Sequence, residues 1–250
     1  MKPLHMTLMA TALCLPLSAL AQVLGTIPAE QPAEQPAMPA PATNAPLLAA
    51  EAVPAPAPEV PAQVAALQEE WAIIKYKTAN TQEQEARINT LVEQARQVSL
   101  ALDDMPEAVI WEAIILSTRA GIVGGTSALD DIRAAKDLLE QVIATQPDAL
   151  HGSAYTSLGS LYYKAPGWPL SFGDNAKAEA NLKQALAINP DGIDPNFFYG
   201  EFLHEQGRDA EAKIVLEHAL AAAPRPGREI ADAGRRDEIS TLLAQMGGAS

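Results

Sequence analysis

The chain has 250 residues, with 17 Lys and Arg against 31 Asp and Glu, a net charge of −14 and one cysteine. That balance argues against nucleic acid and anionic membrane surfaces as partners. A lone cysteine leaves no internal disulfide, so stability must rest on packing.

Residues 1–21 have the pattern of a cleaved signal peptide. Lys2 supplies the positive end, Met6 to Leu17 a short apolar run, and Ala19-Leu20-Ala21 a small-residue cleavage site. The expectation is a cut after Ala21, a periplasmic or secreted protein, and no stable membrane insertion once the signal is removed. Cys14 follows Leu13 rather than a small residue, which departs from a lipoprotein signal. Residues 22–62 read as a Pro/Ala-rich disordered linker, since ten of the 20 prolines fall between Val23 and Ala62.

Helical periodicity begins at Gln63. Val64, Leu67, Trp71 and Ile74 share one helix face, and Ile88, Leu91, Val92, Ala95, Val98 and Leu102 share a second. The hairpin 63–106 is either a degenerate repeat or a capping pair. Three clearer helix pairs follow, over 107–147, 151–190 and 194–224, and then a capping helix over 229–246. Arg235 and Arg236 on that last helix read as paired surface charges.

Within these pairs the sequence repeats itself. Ala178, Leu182, Ala185 and Pro190 recur 34 positions later as Ala212, Leu216, Ala219 and Pro224. Small residues let two helices approach closely, the leucines fill the seam, and the proline stops the second helix. Tyr155, Leu158, Gly159 and Tyr162 make a matching knob-and-gap face on the preceding helix. This pattern resembles the tetratricopeptide repeat (TPR) family. The resemblance implies an all-α fold, a TPR-type right-handed helical solenoid of stacked antiparallel helix pairs.

Two inter-helix segments look long, Ala120–Asp131, rich in glycine, and Lys164–Asp174. Loops of adjacent repeats emerge on one edge of a solenoid, so these two are expected side by side. The second is aromatic and proline-stiffened. Tyr163, Trp168 and Phe172 are the candidate anchors for a partner or ligand, with Asp174 as a polar anchor or as the cap of the following helix. The loop either forms a site or folds back to plug the solenoid.

The search for catalytic chemistry returns little. His151, His204 and His218 form no H-x-x-x-H pair, so no metal site is expected. Gly121-Ile122-Val123-Gly124-Gly125 lacks the features of a phosphate loop. Asp103-Asp104 and Asp130-Asp131 read as caps and solvated charge. No cofactor and no enzymatic activity are expected. Phe172-Gly173-Asp174 leading into Lys177-Ala178, with long inter-helix loops, also resembles the T-component family of TRAP-type solute transporters. The leading expectation is an exported scaffold or adaptor that binds a protein or peptide. The alternative, implied by the second resemblance, is an accessory protein of solute transport that binds a small solute.

Overall fold

Helix pairs joined by tight turns account for nearly all of the architecture. The computed structural model describes residues 60–247; the expected signal sequence and most of the expected linker lie outside the described residues. The elements are α1 (Ala62–Tyr76), α2 (Thr81–Ala101), α3 (Pro106–Val123), α4 (Gly125–Thr145), a 3-10 turn (Ala149–Gly152), α5 (Ser153–Lys164), α6 (Asn175–Ile188), α7 (Ile193–Glu205), α8 (Asp209–Leu220) and α9 (Glu229–Gly247). Among the described residues the one β-type pairing is an isolated bridge between Gly167 and Gly173. The fold is the expected all-α stack of helix pairs.

Local chemistry sets the helix ends. Asn80 accepts a hydrogen bond from the Glu83 amide and opens α2, and Pro106 occupies the first turn of α3. Gly207, with φ of 72°, turns the chain between α7 and α8.

The seam of each pair is built from the repeated positions. Ala178, Leu182 and Ala185 in α6, and Ala212, Leu216 and Ala219 in α8, are fully buried. Their partners are glycines. A Cβ on Gly159 would lie 2.7 Å from Leu182 Cγ, and one on Gly200 would lie 2.6 Å from Leu216 Cγ. Each leucine therefore occupies the space that a side chain on the facing helix would need. Burying such a leucine contributes about 1.5–3 kcal/mol.

The first helices of successive pairs also pack on one another, α1 on α3, α3 on α5, α5 on α7 and α7 on α9. The row does not end there. α9 packs back against α1, so the five inner helices close into a ring. Lys75 and Tyr76 of α1 both reach Glu238 of α9, at 3.0 and 3.1 Å. Gly234 leaves room for the Tyr76 ring on α9. The inner helices here surround a partly open cavity rather than a continuous concave groove.

Three expectations need correction. Ala120–Asp131 is not a long loop: α3 runs to Val123 and α4 starts at Gly125. Gly124 and Gly125, with φ of 66° and 72°, make the turn in two residues, and Ala128 and Leu129 already pack on the core. No neighbouring long loop therefore stands beside 165–174. Asp131 is not solvated charge but a buried carboxylate paired with Arg119 across α3 and α4. Arg235 is not a surface charge either; it is 4% exposed, between Asp194 and Glu238 and beside the rings of Phe197 and Phe198.

Candidate binding sites in the ring and on its loop

Two features stand out, an ordered loop on the outside and a cavity in the ring. The loop 165–174 joins α5 to α6. The Asp174 amide donates to the Tyr162 carbonyl at 2.8 Å, and the Gly173 amide to the Pro166 carbonyl at 2.9 Å. Gly173 presses so closely on Ala165 and Pro166 that a Cβ there would collide with backbone. Arg133 of α4 donates to the Leu170 carbonyl at 3.2 Å. The Trp168-Pro169 peptide is cis.

The four residues singled out from sequence have different placements. Asp174 caps α6, accepting from the amides of Ala176 and Lys177 at 2.9 and 3.1 Å. Phe172 is half-buried and meets the Tyr162 ring edge-on at 5.6 Å, with the Lys136 ammonium 5.9 Å from its centroid. Tyr163 faces α7 instead. Its ring lies 5.6 Å from Phe202 and its hydroxyl donates to Glu201. Burial, with Glu201 beside it, pushes the Tyr163 phenol well above its ordinary range. Trp168 is 90% exposed and Leu170 64% exposed, so the fixed loop carries an uncovered apolar tip. The structure thus joins Phe172 and Asp174 to the α5–α6 corner, sends Tyr163 into the α5–α7 contact and leaves Trp168 in solvent.

The cavity, of about 1070 Å³, is lined by α1, α3, the 3-10 turn, α5, α7, the segment that leads into α9 and Arg235 of α9. Trp71 and Trp111 meet edge-on at 5.5 Å in its wall, and Trp71 donates through Nε1 to Thr118 at 2.8 Å. Also in the wall, Asp194 accepts from Arg225 at 2.7 Å and Arg235 at 2.8 Å. Burial alone would raise the Asp194 pKa, but the two guanidiniums outweigh it and hold the carboxyl well below the carboxylate range. Lys75 is lowered by burial and by nearby Arg235, against the pull of Glu238. Arg228, on the turn before α9, lies with its guanidinium carbon 4.8 Å from the Trp111 centroid. Burial and the neighbouring Arg225 draw its pKa down to about 10.

Sequence reasoning did not find this cavity. The signal available was the cluster Arg225, Arg228, Arg235 and Arg236 in a strongly acidic chain. Among the described residues no group of three or more His, Cys, Asp or Glu is placed to hold a metal ion. None of the described helices is long and apolar enough to cross a membrane.

Residues 170–236, from the end of the loop into α9, match the model of the Tetratricopeptide repeat family. That segment carries tetratricopeptide repeats. A solved structure similar to this chain is a thermophilic TPR protein of Thermus thermophilus. It shares 20% identity, covers 73% of this chain and 89% of its own, and superposes with a TM-score of 0.47. No curated protein matches the chain. Tetratricopeptide repeats form helical scaffolds of the kind that commonly mediates protein–protein interaction.

Proposed function

We propose that the protein is an exported, non-catalytic TPR scaffold that holds a protein partner on the 165–174 loop. The observation that carries this reading is Trp168, an indole 90% exposed on a loop tied down at both ends. An exposed tryptophan is costly to leave in water, and a large aromatic side chain is the commonest anchor of a protein interface. Because the loop is already ordered, docking loses little conformational entropy. Leu170 extends the apolar tip. Phe172 and Asp174 hold it from below, and Tyr163 ties its parent helix to α7.

Export is supported by the Lys2, apolar and Ala19-Leu20-Ala21 pattern at residues 1–21. N-terminal sequencing of the protein from the periplasm or medium is expected to start at Gln22; a mature form starting at Met1 contradicts export. Docking is tested by a photo-crosslinking amino acid at 168. A single crosslinked protein, absent when the probe is moved to exposed Ile214 on α8, is the expected result. Equal crosslinking from both positions contradicts the site.

A further inference from the structure

The contacts between neighbouring inner helices are not built alike. α2 packs on both α1 and α3, α4 on α3 and α5, α6 on α5 and α7, and α8 on α7 and α9. Among the described residues no outer helix packs on both α9 and α1. Any other two neighbours in the ring separate only if an outer helix gives up one of its contacts. α9 and α1 can part while every helix pair stays intact, because a stack of repeats is held together neighbour by neighbour.

The seam is also thinly built. Glu238 of α9 accepts from Lys75 at 3.0 Å and from the Tyr76 hydroxyl at 3.1 Å across it. Lys75 and Glu238 are both partly exposed, and an ion pair open to water contributes little. A cleft of about 460 Å³ opens on the seam at Tyr76, Gly234 and Glu238. Lys75 lines this cleft and the central cavity alike, so its side chain stands between the two. Parting strands no charge. The Lys75 ammonium lies 5.5 Å from the Trp71 centroid and 5.0 Å from that of Tyr76, both on its own helix. Glu238 keeps Arg235, one turn away on α9, at 2.6 Å. We propose that the ring opens at this seam, with α9 as a strap hinged on α7 and α8 and with Lys75, Tyr76 and Glu238 as its clasp. Opening uncovers the cavity from the side.

Pulsed electron–electron double resonance on the full chain, carrying Cys14→Ser, would compare two spin-label pairs. Glu69→Cys with Ser240→Cys spans the α1–α9 seam. Glu69→Cys with Val123→Cys spans the α1–α3 contact that α2 bridges; all three positions are exposed. The expected result is one narrow distance between 69 and 123 in every chain. Between 69 and 240 a longer distance should accompany the short one, and Glu238→Ala should raise its share at least about fivefold. Lys75→Met, which keeps an apolar stem beside the two rings, should act in the same direction and decides the matter if Glu238→Ala folds poorly. A longer distance that is absent from all three chains, or whose share neither variant raises, overturns the proposal. So does equal broadening of both label pairs, which is general loosening rather than an opening at one seam.

Discussion

Gly234 of α9 lies directly under the ring of Tyr76 of α1, close enough that a Cβ at 234 would overlap the ring carbons. This contact joins the last inner helix to the first, with the Tyr76 hydroxyl on Glu238 completing it. Gly234→Ala should therefore force the Tyr76 ring off α9 and cost about 1–3 kcal/mol as an overpacked seam. Urea denaturation reads this as a lower midpoint with an unchanged slope. Tyr76→Ala in the same chain should make Gly234→Ala nearly neutral, since the two effects share one contact.

A second pair of substitutions separates packing from helix propensity. Gly200 and Gly121 both sit in helices, and alanine is intrinsically better there by about 1 kcal/mol. At 121 nothing lies within 4 Å of a new Cβ, so Gly121→Ala should stabilise. At 200 the Cβ would meet Leu216, which is fully buried and has no room to move. Gly200→Ala should destabilise by about 1–2 kcal/mol net, as the clash outweighs the propensity gain. Thermal melts moving in opposite directions are the expected outcome.

Asp194 should make part of the stability pH-dependent. Its folded pKa is depressed by Arg235 and Arg225 against the effect of burial. Such a group contributes stability fully above the unfolded carboxylate pKa of about 3.9 and loses it as pH falls towards the folded value. Asp194→Asn leaves two guanidiniums sharing fewer acceptors and should cost about 2–3 kcal/mol near neutral pH, between the values for exposed and fully buried pairs. The gap between variant and wild type should narrow as pH drops below about 4. A constant gap down to acid contradicts the assignment.

The helix pairs are legible in the sequence because alanine, leucine and proline at a 34-residue spacing describe a single local unit twice. Ala178, Leu182 and Ala185 need only each other and one neighbouring helix to be buried. The turn at Gly124-Gly125 is harder to read because a glycine cluster fits both a long loop and a two-residue reversal. The deciding signal is the helical spacing of Ala128, Ile132, Ala135 and Leu139, which runs back almost to the glycines. Arg235 looks solvated in the sequence because an arginine on an amphipathic helix usually is; its partner Asp194 lies 41 residues earlier in the chain. The closure of α9 on α1 is beyond such reading, because it depends on small rotations accumulated over four helix pairs. The aromatic loop is visible from composition, but its residues sort into support and tip only once their neighbours are known.

The account is tested most directly by Trp168→Ala, with the full chain immobilised and exposed to the exported proteins of its own cells. The scaffold reading predicts that the wild type retains a stoichiometric protein partner and that Trp168→Ala retains at least about tenfold less, with a melting temperature within about 2 °C of wild type. Equal retention by both chains contradicts it. So does a stability loss of about 3–5 kcal/mol, the value for truncating a buried tryptophan, with undiminished capture by the folded fraction.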